Sequence, residues 1–184
     1  MSSESIQAAV STNSQSRFNA FSITLSNGAT LTGIAYIPTA RAESKNGAPL
    51  LVGIHGASCS AYHFDCSPQH TASRYSELFG VPFVASNRPN FLESSGWQID
   101  RSSTGSGKPA WDKEDGLSHF EEEARWLQCY ILPCLWNEFG KPNECTSIVT
   151  LSHSMSVPIT VIAAACYSEQ PETERQFPWA GTIL

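Results

Sequence analysis

The stretch of residues 145–156 constrains the fold more than any other part of the sequence. A short run rich in β-branched residues (145–151) ends in the small polar turn Ser152-His153-Ser154-Met155-Ser156. An apolar segment (157–167) follows without a break. The first run has the length and composition of a strand, and the last has those of a helix. The sequence therefore predicts a strand, a tight turn and a helix in direct succession, with Ser154 at the apex.

A serine at this apex has a chemical consequence. Its hydroxyl is exposed at the carboxyl end of a strand, beside the free N–H groups of a helix N-terminus. Such N–H groups stabilise an oxyanion because they are already oriented. The strained turn requires small residues two before and two after the apex, where Ser152 and Ser156 stand instead of the commoner glycine. The alternative is an ordinary serine-rich turn between a strand and a helix, which any α/β protein could contain.

Composition and charge narrow the class of protein. The chain has 184 residues, of which 41% are hydrophobic and 15% charged, as expected of one globular domain with a real core. A net charge of −6 argues against nucleic acid or an anionic membrane as a partner. No segment has the apolar length of a transmembrane helix.

The termini and the cysteines bear on location. Residues 1–16 are polar, carry no secretory or transit signal, and are predicted to be a disordered tail. The six cysteines then indicate reduced thiols in an intracellular, cytoplasmic protein. A peroxisomal address at a missing C-terminus is the alternative.

The region before residue 92 predicts a hairpin leading into a parallel sheet. Two alternating segments (18–25 and 29–37) flank Ser-Asn-Gly, a turn sequence that accepts positive φ. The runs 49–54 and 81–86 are continuously apolar, which is typical of strands buried on both faces. A short helix (72–79), ended by glycine, lies between them.

The region after residue 92 begins irregularly. Residues 92–117 show no period and are predicted to be a loop over the pocket, where Trp97 and Trp111 either contact substrate or fix the loop to the surface. Ser118 and Glu121 form a capping box. The helix that follows should be kinked at Pro133 and should turn an apolar stripe towards the sheet. The stripe consists of Phe120, Ala124, Leu127, Ile131 and Leu135. We interpret Cys129, Cys134 and Cys166 as small buried hydrophobic residues, and residues 177–184 as a final apolar strand.

Three motifs in this order resemble the α/β-hydrolase superfamily. They are His55-Gly56-Ala57, Asn87-Arg88-Pro89-Asn90 and Ser152-His153-Ser154-Met155-Ser156. The resemblance runs from about residue 18 to the end and implies an α/β-hydrolase fold. We expect the N-terminal part of that fold: a hairpin and a mostly parallel sheet with helices on both faces, without the C-terminal strands. The nearest likeness is to small-molecule hydrolases of fungal secondary metabolism.

The resemblance implies a role for each residue of the site. Ser154 is the expected nucleophile, and the N–H groups of Ala57 and Met155 are the expected oxyanion hole. His55, Gly56 and His153 are supporting residues. A serine hydroxyl also needs a base beside it, and in this superfamily an acid and then a histidine follow the nucleophile.

The sequence lacks those two partners. No histidine or aspartate follows Met155, and the glutamates at 169, 172 and 174 precede the final strand. His153 should point away from the apex, and His55 is more typical of a satisfied histidine at a strand end. His63 and His70 could approach the pocket, but no orienting carboxylate is evident.

A second set of residues could bind metal. Cys59, His63, Cys66 and His70 all have zinc-ligating side chains, but their spacing does not follow the usual paired arrangement. An oxyanion loop explains this region without metal, so we predict no metal and no cofactor.

Two functions remain open. The first is a serine hydrolase for an ester, thioester or related acyl bond of a small molecule, present here in truncated form. The second is a hydrolase-fold remnant without chemistry, or a binding module. An incomplete sheet would also expose an apolar edge at 177–184, through which the chain could self-associate.

Overall fold

The structure, a computed structural model, describes residues 17–39, 47–96 and 116–184. The tail 1–16, Trp97, Trp111 and most of the irregular segment 92–117 lie outside these ranges. The strands are β1 (Asn19–Thr24), β2 (Thr30–Tyr36), β3 (Leu50–Ile54), β4 (Asp65–Ser67), β5 (His70–Thr71), β6 (Phe83–Ser86), β7 (Ile148–Ser152) and β8 (Trp179–Ile183). The α-helices are α1 (Ala72–Phe79), α2 (His119–Trp126), α3 (Leu132–Leu135) and α4 (Ser156–Glu169). Short 3₁₀ turns lie at Ala61–Phe64 and Glu172–Glu174.

Six of the strands form one mixed sheet in the order β1-β2-β6-β3-β7-β8. The first three pair antiparallel, and β6, β3, β7 and β8 run parallel. Among the described strands, the short β4 and β5 pair with each other and with no other strand. The predicted order, a hairpin followed by a mostly parallel sheet, is confirmed.

The hairpin turn has the chemistry that its sequence predicts. Gly28 has a φ of 86°, in the region that favours glycine. The Asn27 side chain accepts a hydrogen bond from the Ala29 N–H at 3.1 Å. The turn therefore satisfies its own backbone and fixes the register in which Ile23 faces Leu31.

The sheet is covered on both faces, as predicted. On one face Leu50, Val52 and Ile54 pack into the main core with residues of α2, α3 and α4. On the other face Leu51 and Phe83 pack with Phe64 of the first 3₁₀ turn. Continuous apolar runs are required at β3 and β6 because neither face meets solvent.

The capping box of the long helix is confirmed. The Ser118 hydroxyl accepts the Glu121 N–H, and the Glu121 carboxylate accepts the Ser118 N–H at 2.8 Å. The apolar stripe is confirmed at its last four positions, but Phe120 is 37% exposed. Trp126 and Leu132, which lie off the stripe, are fully buried instead.

Helical geometry changes after α2. α2 and α3 are joined by a π-helical turn at Leu127–Ile131, and a second π turn at Trp136–Gly140 follows α3. A π turn holds one residue more than an α turn, so it rotates the buried face. Pro133 lies in the first turn of α3 directly after the first π turn, where its missing N–H is tolerated.

The interpretation of the helical cysteines was wrong. Cys129 and Cys134 are half-buried and Cys166 is exposed, whereas the buried cysteine is Cys145, just before β7. Burial raises the pKa of the Cys134 thiol, with a smaller contribution from Glu138. None of the six cysteines, all of which lie in the described ranges, forms a disulfide.

The final strand is confirmed with narrower bounds, and β8 lies at the edge of the sheet. Ile183 and Leu184 are 52% and 65% exposed. Among the residues that the structure describes, no helix is both long and apolar enough to cross a bilayer.

A buried ion pair joins the sheet to α2. Arg88, just after β6, donates two hydrogen bonds to the Glu123 carboxylate at 2.7 and 2.8 Å, and both side chains are at most 4% exposed. The Arg88 guanidinium also lies 5.4 Å from the Phe91 ring centroid. Removing one partner of such a pair strongly destabilises the fold, because the other charge stays buried without compensation.

We therefore expect Glu123→Gln to lower the free energy of unfolding in urea by about 3–5 kcal/mol. The matched control is Glu121→Gln, at an exposed capping position where glutamine can still accept the N-cap hydrogen bond. A loss at position 123 no larger than at position 121 would contradict a structural role for the buried pair.

Candidate active site

The turn after β7 has the geometry of a strained apex. Ser152 ends β7, Ser156 begins α4, and Ser154 between them has a φ of 57° with its side chain exposed. A serine rarely adopts this left-handed conformation, which costs roughly 1–2 kcal/mol. Outliers of this kind concentrate at functional sites, where the surrounding structure enforces them.

The two flanking serines are accommodated because each hydroxyl is bonded. The Ser156 hydroxyl donates to the Ile54 carbonyl at 2.8 Å and accepts the His153 N–H at 2.9 Å. The Ser152 and Thr160 hydroxyls are 2.6 Å apart. Serine in place of glycine at these positions therefore adds contacts that hold the turn against β3 and α4.

The turn lies directly against the loop that follows β3. β3 and β7 pair in register with Ile54 opposite Ser152, and the His153 N–H donates to the Ile54 carbonyl at 3.1 Å. A Cβ added to Gly56 would lie 3.0 Å from the Ser154 Cβ. Glycine at position 56 therefore allows the two segments to approach this closely.

His55 fixes the peptide that follows it. The ring is fully buried, its Nε2 accepts the Arg88 N–H at 3.0 Å, and its Nδ1 therefore donates to the Gly56 carbonyl at 2.7 Å. In a trans peptide the carbonyl and the N–H point in opposite directions. The Ala57 N–H consequently points away from His55. The prediction that His55 is a satisfied strand-end histidine is confirmed.

Two backbone donors remain available at this edge of the sheet. Within the described ranges, no acceptor takes the N–H of Ala57 or of Met155. Ala57 is exposed, and Met155 is the N-cap of α4. These are the two N–H groups that the sequence resemblance predicts for an oxyanion hole.

No general base reaches Ser154 in the part of the chain that the structure describes. Its hydroxyl has no hydrogen-bond partner there. Glu169 ends α4, about 20 Å along the helix axis from the turn, and Glu172 and Glu174 are exposed beyond it. That the triad is incomplete stays a prediction from the sequence.

The histidines near the turn contact each other. The rings of His63 and His153 stack with centroids 4.4 Å apart. Cys59 lies with them, and its sulfur and one nitrogen of each ring are all within 4.8 Å of one another. His153 thus faces the loop after β3.

Cys66 and His70 do not take part in that cluster. The Cys66 thiol donates to the His70 carbonyl at 3.3 Å, and the Ser67 hydroxyl lies 3.1 Å from the His70 ring nitrogen. The four potential ligands considered from the sequence are therefore not brought together as one set.

Sequence analysis missed the residue that anchors the loop. Asn87, after β6, accepts the Ala61 N–H through its side-chain oxygen at 2.8 Å and donates to the Thr32 hydroxyl at 2.9 Å. Its motif, Asn-Arg-Pro-Asn, signals only a turn. The partners are 26 and 55 residues away, so no local pattern reveals them.

Comparison with proteins of known structure identifies the fold. No family model and no curated protein matches the sequence. The juvenile hormone epoxide hydrolase of the silkworm Bombyx mori is 16% identical with a TM-score of 0.52, covering 90% of this chain and 31% of that one. DcsB, solved with a substrate analogue, is 15% identical with a TM-score of 0.52, covering 80% and 41%. The Pyrococcus furiosus esterase Pf2001 is 15% identical with a TM-score of 0.46, covering 78% and 44%.

The likenesses to the silkworm epoxide hydrolase and to DcsB confirm the predicted fold class. The chain has an α/β-hydrolase fold and corresponds to its N-terminal portion, with a mixed, mostly parallel sheet. It spans less than half the length of each of these three proteins.

The buried His55 ring should make stability depend on pH. Burial lowers its pKa from 6.5 to about 4, and the nearby Arg88 charge contributes. As pH falls from 6.5 towards 4, His55 becomes protonated in the unfolded chain but stays neutral in the folded chain. The free energy of unfolding should therefore fall over this window, by up to about 3 kcal/mol.

Urea unfolding across this pH range in the wild type and in His55→Gln measures the effect. We expect a weaker pH dependence in the variant. Equal slopes in the two proteins would show that His55 takes up its proton equally in the folded and unfolded states.

Proposed function

We propose that this chain carries the nucleophile and oxyanion hole of a serine hydrolase. Ser154 would attack the carbonyl of an ester, thioester or related acyl bond in a small molecule. The N–H groups of Ala57 and Met155 would stabilise the resulting oxyanion. The hydroxyl proton must pass to a base, and the tetrahedral intermediate would expel the alcohol or thiol to leave an acyl-serine.

The left-handed conformation of Ser154 is the observation that carries the proposal. Asn90, Leu92 and Glu144 also have positive φ, so the φ of 57° at Ser154 supports the proposal together with its position between β7 and α4. The hydrogen bonds of Ser156 and the closeness of Gly56 enforce this backbone. The hydrolase fold supports the same assignment at the level of fold.

Proton transfer limits what this chain does alone. Neither histidine nor aspartate follows Met155, and no base bonds to the Ser154 hydroxyl among the described residues. Serine proteases that lose a triad member keep only about 10³–10⁴-fold catalysis over water. The chain alone should therefore be inactive or very weak as a catalyst.

The alternative is a catalytically inactive hydrolase-fold module that binds a ligand. It is favoured by one observation: the Ser154 hydroxyl has no base within hydrogen-bonding reach among the described residues. Fungal secondary metabolism and a cytoplasmic location stay predictions from the sequence.

A fluorophosphonate probe distinguishes the two functions. If the oxyanion hole is formed, wild type should be labelled slowly at Ser154, while Ser154→Ala should not be labelled. Ser168→Ala is the matched control, since that serine is exposed at the far end of α4 and should leave labelling unchanged. Mass spectrometry of the labelled peptide identifies the site.

Labelling that persists in Ser154→Ala, or that is absent from folded wild type, would contradict the nucleophile assignment. Hydrolysis of a chromogenic acyl ester should show at most a single slow turnover. Fast repeated turnover would mean that a base reaches Ser154 after all.

We also propose that β8 pairs with the same strand of a second copy of this chain. β8 bonds to β7 on one side, and no other described strand pairs with it. Exposed Ile183 and Leu184 accompany this free edge. Unpaired N–H and C=O groups on an apolar edge strand are a template for another strand.

Sedimentation velocity tests this pairing. Wild type should show a concentration-dependent dimer, and Ile183→Lys should shift it towards monomer because a charge at the edge opposes pairing. Leu78→Lys, at a 71% exposed position on α1, is the matched control and should leave the dimer unchanged. A wild type that stays monomeric at all concentrations would rule out the pairing.

A further inference from the structure

We propose that Cys59, His63 and His153 form a three-ligand site for Zn²⁺ that joins the loop after β3 to the turn that carries Ser154. The three ligand atoms lie within 4.8 Å of one another. They come from segments about 90 residues apart in sequence, which the β3–β7 pairing brings together. This inference does not depend on Ser154 being a nucleophile.

The donor set favours zinc among common metal ions. One thiolate and two imidazoles are soft to borderline ligands, which suit Zn²⁺ and not Mg²⁺ or Ca²⁺. Three protein ligands leave a fourth tetrahedral position for water. His153 is exposed, and Cys59 and His63 are half-buried, so that position has access to solvent.

The distances are compatible with a small closing movement. Zinc bonds of about 2.0–2.3 Å place tetrahedral ligand atoms about 3.3–3.6 Å apart. The three side chains therefore need to approach by roughly 1 Å from the present 4.8 Å limit. The His63 and His153 rings stack 4.4 Å apart and only 23° from parallel, so binding must also turn at least one ring until a nitrogen of each faces the ion; His153, which is exposed, is the ring expected to turn.

The backbone holds the two halves of the site in place without metal. Asn87 anchors Ala61, and the His63 N–H donates to the Ser60 carbonyl at 2.9 Å, which fixes the short turn that bears His63. The His63 ring also packs edge-on against Phe64 at 5.6 Å. On the other side, the His153 N–H bonds both Ile54 and Ser156. A site whose supports already exist loses little further freedom when the ion binds.

Binding would cross-link the two segments that hold the proposed oxyanion donors. Cys59 is two residues beyond Ala57, and His153 directly precedes Ser154. An ion bound by the folded protein and not by the unfolded chain stabilises the folded state by mass action. With zinc at 100 times its dissociation constant, the melting temperature should rise by about 5 °C or more.

The test uses the full chain without a histidine tag, kept reduced and freed of metal with a chelator that is then removed. Zn²⁺ titration should give one equivalent bound. Co²⁺ in its place should give a thiolate-to-metal absorption band and the intense visible bands of a tetrahedral ion. Binding to Cys59→Ser, His63→Ala or His153→Ala should each be weaker by about 100-fold or more.

Two control variants and two independent measurements make the result decisive. Cys66→Ser and His70→Ala should bind Zn²⁺ as wild type does, because those residues pair with each other outside the cluster. Circular dichroism and melting in chelator should show that every variant is folded. Ser154→Ala should also bind zinc normally, whereas probe labelling of metal-free wild type reports on Ser154 alone. The metal site and the hydrolase function can thus fail separately.

Three results would overturn the proposal. One is cobalt binding without the thiolate band. Another is zinc affinity that is unchanged in Cys59→Ser or His153→Ala. The third is loss of affinity in Cys66→Ser and His70→Ala as large as in the cluster variants, which would indicate an adventitious ion only.

Discussion

The parallel pairing of β3 with β7 is the interaction on which the site depends. Their register sets Ile54 opposite Ser152, so two loops leave the same edge of the sheet side by side. The Ile54 carbonyl then accepts bonds from the His153 N–H and the Ser156 hydroxyl. A shift of one residue in this register would reverse the faces of β7 and separate the Gly56 backbone from Ser154.

The same pairing explains why backbone strain is tolerated at Ser154. A left-handed serine is unfavourable by itself, yet the turn around it is held by two buried hydroxyls and by α4. The contacts that enforce this conformation come from β3 and from α4, through the hydroxyls of Ser156 and Ser152. This arrangement places an exposed hydroxyl on a rigid base, as a reactive group requires.

Local patterns predicted the local features of the structure. The turn at 152–156, the buried strands β3 and β6 and the Ser118 capping box all depend on residues within a few positions of one another. The fold class followed from their order. The exposed Phe120 was mispredicted because a helical period does not show where along a helix the contact with the core begins: Phe120 lies in the first turn of α2, and the buried residues begin at Glu122.

Local patterns cannot predict contacts between residues that are distant in sequence. The Arg88–Glu123 pair and the anchor at Asn87 join residues that only the folded sheet brings together. The sequence suggested Cys59 and His63 as ligands but paired them with Cys66 and His70, their nearest neighbours. The third member, His153, meets them through strand pairing, and no spacing rule connects it to them.

The π turn at Leu127–Ile131 is the place where this helix tolerates the loss of one residue. A π turn is an α-helical turn with one residue inserted, so removing one residue there restores the ordinary i to i−4 bonds. Leu132 and Leu135 would keep their direction towards the sheet, whereas a deletion within α2 itself would rotate them by about 100°. Homologous chains that differ by a single residue in this helix should therefore carry the gap at this turn.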